Sequence, residues 1–93
     1  MEYKLVTNLL PTVHLFADDR QYVLVIRRSE KQSMRNGYHS YFQTLSEVFE
    51  ELFNYKVRDS MADGSDKTIE EMIVIIKNTK ITILEIMKPF EQL

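Results

Sequence analysis

Apolar and polar positions follow two different periods along this chain. Residues 12–18, TVHLFAD, alternate and are β-branched or aromatic, which predicts a strand with one face covered. Residues 21–28, QYVLVIRR, hold Tyr22, Val23, Leu24, Val25 and Ile26 in one unbroken run. A strand that is apolar on both faces is expected to be central. The short polar link DDRQ joins the two into an antiparallel hairpin. Nine residues, SEKQSMRNG, follow and close on Asn36-Gly37, a dipeptide that tolerates positive φ. The pattern fits either a tight two-residue turn there or the end of a longer loop. YHSYF at 38–42 predicts a short third strand.

From residue 44 the period becomes helical. Thr44 is followed three residues later by Glu47, and Thr68 by Glu71. Each pair fits a capping box, in which the Thr oxygen accepts an orphan backbone N–H and the Glu reaches back. Leu45, Val48, Phe49, Leu52 and Phe53 then form one face, predicting a helix over 44–62. A longer stripe of Ile69, Met72, Ile73, Ile76, Ile83, Leu84 and Met87 predicts a second helix over 68–88, widened by Val74, Ile75, Ile81 and Ile86. Pro89 is the expected stop. Ile is a mediocre helix former, and ITILEIM at 81–87 reads alternatively as a strand.

The expected fold is α+β. A three-stranded antiparallel sheet over 12–42 is followed by two helices packed on it (βββαα), within a single domain spanning 1–93. The expected core is Leu15, Tyr22, Leu24, Ile26, Phe42, Val48, Phe49, Leu52, Ile73 and Ile76.

Composition narrows the function. The chain has 93 residues, 44% hydrophobic and 28% charged, as in an ordinary globular domain. There is no cysteine, which excludes disulfides, thiolate metal sites, iron–sulfur clusters and Cys nucleophiles. No apolar run approaches the roughly 20 residues of a membrane helix. The start MEYKLVTNLLP lacks a basic stretch followed by an apolar core, unlike a signal peptide. The expected location is the cytoplasm, with no membrane partner. Charge is uneven. Residues 1–42 hold six bases against four acids, a net of +2; residues 43–93 hold six bases against ten acids, a net of −4.

One stretch imitates a metal site. Residues 59–70, DSMADGSDKTIE, carry acids at the first and fifth positions, Gly at the sixth and Glu at the twelfth, like an EF-hand loop. The third position is Met61, which offers no oxygen ligand. The eighth and ninth are Asp66 and Lys67, where an apolar residue and a ligand are usual. A turn explains the same residues: Gly64 as the left-handed C-cap of one helix, and Asp66 or Thr68 as the cap of the next. His14 and His39 lie in different strands and lack a carboxylate partner, a poor ligand set for zinc. Ser40 and Ser46 have no nucleophile-elbow glycines, and Gly37 and Gly64 are too few for a phosphate-cradling loop. The expectation is a non-catalytic protein with no cofactor and no metal.

Binding remains. Arg27, Arg28, Lys31 and Arg35, with Tyr38 and Tyr41 beyond, gather basic charge and aromatic faces at one end of the sheet. Such a cluster suits phosphates and bases. The plainer reading is a solvated hairpin end.

The segment QYVLVIRR…GYHSYFQTLSEVFEELFNYKVR resembles the arm-type DNA-binding domain of phage integrases, in which a three-stranded sheet reads DNA and a helix packs behind it. It departs from that family in its few loop bases and its second long helix. Residues 20–80 also resemble small uncharacterised proteins encoded by bacteriophages and prophages of Gram-positive bacteria. The likeness lies in the Tyr22–Arg27 strand, in TLSEVFEEL and in SDKTIEEMI. That resemblance implies an accessory role in a mobile element, such as inhibition of a host defence of the anti-CRISPR kind. Its implied partner is a host protein.

Two function classes follow. In the first, an acidic helical surface binds the host protein in place of nucleic acid. Its candidates are Glu47, Glu50, Glu51 and Asp59, with Asp63, Asp66, Glu70 and Glu71. In the second, Arg27, Arg28, Lys31, Arg35 and Tyr38 bind DNA. A homodimer that hides surplus apolar surface on the Ile-rich helix is compatible with either.

Overall fold

The computed structural model describes residues 3–91. In chain order the elements are β1 (Lys4–Leu10), β2 (Val13–Ala17), β3 (Tyr22–Ile26), a 3-10 turn (Met34–Asn36), β4 (Tyr38–Phe42), α1 (Leu45–Met61) and α2 (Ile69–Glu91). The fold is α+β, with an antiparallel sheet and two helices. Two compact units divide the chain between Val48 and Phe49.

The sheet has four strands in the order β1-β2-β3-β4, which corrects the expected three. The extra strand is β1. Its pairing with β2 slips twice, between Leu5 and Thr7 and between Asn8 and Leu10. Val6 and Leu9 are therefore bulged, each the second of two residues opposite one. Leu5 and Asn8 face the same way although three residues apart. The period of two that marks a strand is lost, and the stretch hides from pattern reading.

β2 and β3 form the expected hairpin, in unbroken register from Val13↔Ile26 to Ala17↔Tyr22. Asp18 builds the turn: its Oδ1 accepts from the backbone N–H groups of Arg20 and Gln21 at 2.7 and 2.9 Å. These bonds, that of Arg20 first, hold the Asp18 carboxyl below its usual pKa. β3 pairs with β4 from Tyr22↔Phe42 to Ile26↔Tyr38.

Residues directly opposite one another share a face of the sheet. One face carries Val13, Leu15, Leu24 and Ile26, all buried, with Leu15 and Leu24 fully so. Tyr22 and Phe42, expected in the core, are only half-buried. The other face carries His14, Phe16, Val23, Val25, His39 and Tyr41.

Asn36-Gly37 is the end of a longer loop and not a tight turn. Asn36 closes the 3-10 turn, and Gly37 is extended at φ −71°, ψ 168°. A Cβ on Gly37 would meet Val25 Cγ1 at 3.0 Å and the Ile26 carbonyl oxygen at 3.1 Å. A side chain there would push Val25 or the β3 backbone back by a few tenths of an ångström.

Both helices begin as expected. Thr44 N–H and Oγ1 donate to Glu47 Oε1, and Glu47 N–H donates back to Thr44 Oγ1 at 3.2 Å. Thr68 and Glu71 make the reciprocal backbone-to-side-chain pair at 3.2 and 3.1 Å. Residues 81–87 are helical. Phe49 of α1 meets Phe90 near the end of α2 edge to face, with ring centres 5.3 Å apart.

Three helix expectations are corrected. Pro89 lies inside α2, which runs on to Glu91. In the last turn a proline removes a single helix hydrogen bond, so it does not end the helix at once. Gly64 has a left-handed φ of 90° but stands in the interhelical loop, past the end of α1 at Met61, and is not the immediate cap. Ile73 and Ile76 are not core; they are 45% and 42% exposed. The inward stripe of α2 is Met72, Ile75, Thr79, Ile83, Ile86 and Phe90, at spacings of three or four. Thr79 enters it because its hydroxyl donates to the Ile75 carbonyl at 2.7 Å, which satisfies the buried oxygen.

Candidate functional site

Two polar constructions shape the first unit. His14 is 3% exposed, and both its ring nitrogens are engaged. Arg27 Nε lies 2.9 Å from His14 Nε2. A guanidinium only donates, so Nε2 accepts, and the proton sits on Nδ1. Nδ1–H then donates to Asn8 Oδ1 at 2.6 Å. The imidazole is neutral. Burial first, and then the Arg27 charge, hold its pKa below the ordinary 6.5.

The rest of the Arg27 fork is consumed by main chain. Nη1 donates to the carbonyls of Glu30 and Gln32, and Nη2 to that of Pro11. Arg27 thus ties β2, β3 and the following loop together. Gln32 adds a second brace: its Oε1 accepts from Arg28 N–H at 2.7 Å, and its Nε2 donates to the Asn36 carbonyl at 2.9 Å.

This bracing holds Met34 and Arg35 at the margin of the sheet face that carries Phe16 and Tyr41. A shallow groove of about 390 Å³ opens there. Val23 and Val25, both buried, form its floor. Phe16, Tyr3 and Tyr41 wall one side, and Met34, Arg35 and His39 the other. Tyr3 reaches over the face, its ring centre 6.3 Å from that of Tyr41, with its hydroxyl accepting from Gln21 Nε2 at 2.6 Å. His39 Nε2–H donates to the Met34 carbonyl at 2.8 Å, which fixes the tautomer and turns the ring. Arg35 is exposed and bonds to no other described residue. The groove is apolar below, aromatic on one wall and cationic at one corner.

The candidate bases fare unequally. Arg27 is structural. Arg28, Lys31 and Arg35 are exposed, and only Arg35 lines the groove. Tyr38 is 67% exposed, but it pairs with Ile26 and so lies on the opposite face from Tyr41.

The candidate acids divide evenly. Glu47 and Glu71 close the two capping boxes. Glu51 pairs with Arg58 at 3.2 Å. Asp63 Oδ1 accepts from Lys67 Nζ at 2.6 Å and from the Ser65 hydroxyl and N–H at 2.7 and 3.0 Å. The Lys67 ammonium first, then Ser65, hold the Asp63 carboxyl far below the usual range. In the calcium-like loop, Asp63 is thus committed to the turn and paired with the loop's own lysine. Glu50, Asp59, Asp66 and Glu70 are exposed and bond to no other described residue.

Tyr3, Phe16, Met34 and His39 were missed as site residues. Strand register carries the signal for Phe16 and His39: Phe16 opposite Val23 opposite Tyr41, and His14 opposite Val25 opposite His39. His14 and His39 share a face but have β3 between them. Among the described residues no cluster of three or more His, Asp or Glu could hold a metal ion, and no helix is long and apolar enough to cross a membrane. No protein family, curated protein or solved structure matches the chain.

Proposed function

We propose that this protein is a non-catalytic binding protein that captures a segment of a partner protein in the groove on its sheet. The observation that carries the reading is the groove itself: an apolar floor and aromatic wall left open, with an unengaged Arg35 at the corner. Concave apolar surface with a few convergent polar groups is the usual form of a binding site. The reading agrees with the accessory role, anti-defence included, that the phage resemblance implies. It moves the contact from the acidic helices to the sheet, because four of the eight acids are already used in caps, turns and an ion pair. It is favoured over DNA because Arg27 is withdrawn from the basic cluster and a single cation lines the groove.

The test is selection of a display library of linear peptides on the immobilised protein, followed by titration of the most enriched peptide. Tyr41→Ala and Arg35→Glu alter exposed side chains and leave the buried face intact. Each is expected to weaken binding about tenfold, or ~1.4 kcal/mol. Enrichment of no peptide, or binding indifferent to both substitutions, would remove the reading. Binding of a mixed-sequence single-stranded oligonucleotide with a steep salt dependence would replace it with the nucleic-acid one.

A further inference from the structure

The two edges of the sheet are built differently. β1 carries Lys4 and two bulges, devices that keep a sheet edge from pairing with another chain. β4, Tyr38–Phe42, has none of them. Its sequence YHSYF contains no charge and no proline, and its register with β3 is unbroken.

The hydrogen-bond phase identifies which backbone groups of β4 are free. Asp18 N–H donates to the Gln21 carbonyl at 3.1 Å, and Arg27 N–H to the Thr12 carbonyl at 2.8 Å. These bonds bracket the β2–β3 ladder, so Val23 and Val25 turn their backbone groups to β2. Tyr22, Leu24 and Ile26 then turn theirs to β4, because successive antiparallel pairs alternate. Their partners Phe42, Ser40 and Tyr38 bond inward. His39 and Tyr41 are left with N–H and C=O directed away from the sheet. No other described residue bonds to them. The side chains of these same two residues line the groove.

We infer that β4 is a strand-addition edge, and that the captured segment lies beside the groove as an antiparallel fifth strand, hydrogen-bonded to the backbones of His39 and Tyr41 and turning alternate side chains to the groove face. This rests on the groove reading and gives its occupant a conformation and a chemistry. Residues of the incoming strand that bond to His39 and Tyr41 project their side chains to the groove face. The one opposite Tyr41 extends the aromatic wall and is apolar. The one opposite His39 lies on the Arg35 side and is acidic, the charge Arg35 lacks. The occupant is therefore an extended segment with an apolar and an acidic residue two positions apart. Main-chain bonds supply affinity and alternate side chains supply specificity, as in other strand additions.

The experiment uses the full chain and the most enriched library peptide. Amide hydrogen exchange is followed residue by residue, with and without peptide. The His39 and Tyr41 amides are expected to exchange fast in the free protein and to slow at least about tenfold in the complex, while Ser40 is protected in both. N-methylation of alternate peptide amides gives the second readout. One phase should abolish binding and the other leave it unchanged. Binding that depends on Tyr41 but leaves the His39 and Tyr41 amides unprotected would overturn strand addition and keep the groove. Equal tolerance of N-methylation in both phases would overturn it too. Failure to enrich any peptide would overturn both. A doubled mass without peptide, with the same two amides protected, would overturn it in favour of a second copy paired through β4.

Discussion

The sheet and the second helix are both dense in apolar residues, yet they hide them very differently. β3 buries Val23, Leu24, Val25 and Ile26 in succession. α2 buries Ile83 and Thr79 and leaves Ile69, Ile73, Val74, Ile76, Ile81 and Leu84 at least 42% exposed. Part of the difference is geometric. A central strand is flanked by two neighbours and can be covered on both faces. A helix in a two-helix hairpin offers one stripe to its partner, and apolar residues outside that stripe stay in water. Apolar density therefore means something different in the two regions: in the strand it translates into burial throughout, in the helix only along one stripe.

That contrast breaks most sharply under paired truncations. Leu24→Ala removes a fully buried side chain from the sheet and is expected to cost about 2–5 kcal/mol. Ile73→Ala removes a comparable side chain from the outer side of α2 and should change stability by no more than ~0.5 kcal/mol. Urea denaturation of the two variants decides it through the shift in midpoint. Equal costs would mean that the outer stripe of α2 is buried in solution, and the concentration dependence of the midpoint would then show whether self-association covers it.

The next effect belongs to the buried polar network, for which the helices have no counterpart. Arg27→Ala deprives His14 Nε2 and three carbonyls of their donor, and should cost about 2–3 kcal/mol and loosen the 29–36 loop. The same network predicts a pH dependence. The folded pKa of His14 lies below the unfolded value of 6.5. Above 6.5 both states are neutral and the stabilisation is complete. As pH falls through 6.5 the unfolded chain takes up a proton that the folded chain resists, so stability declines until the lower folded pKa is reached. Thermal melts on either side of pH 6.5 should show the decline in the wild type, and His14→Gln should flatten it. A melting temperature that rises on acidification through that range would contradict the neutral, doubly bonded imidazole.

How much of this was legible beforehand follows from how local each signal is. The β2–β3 hairpin and both capping boxes were readable because a few neighbouring residues specify each of them. Leu15, Leu24, Ile26, Val48, Phe49 and Leu52, expected in the core, are buried. β1 was not readable, because two bulged residues destroy its period. Ile73 and Ile76 were misplaced because α2 has more apolar residues than its inward stripe can hold, and the stripe includes a threonine. The groove was illegible for a different reason. Tyr3, Phe16, Met34 and Tyr41 belong to four separate segments, and only the assembled sheet with its braced loop brings them together. Arg27 looked like a ligand-binding cation because nothing local reveals that Pro11, sixteen residues earlier, supplies one of its carbonyls.

The smallest expected effect tests whether the contrast extends to the helix starts, where the two capping boxes are nearly the same chemistry. Loss of a Thr cap usually costs about 1 kcal/mol. Thr44→Ala should show that full cost, because α1 holds the fully buried Val48 and Leu52 within its first two turns and cannot fray there without exposing them. Thr68→Ala should show less. The first turn of α2 carries Ile69 at 69% exposure beside exposed Glu70 and Glu71, so it can open locally without dragging any buried side chain into water. Its loss should appear as faster amide exchange over 69–72 with little change in global stability. Equal global costs would mean that the start of α2 is as firmly held as the start of α1, and that the exposure of its apolar residues is not matched by a looser backbone.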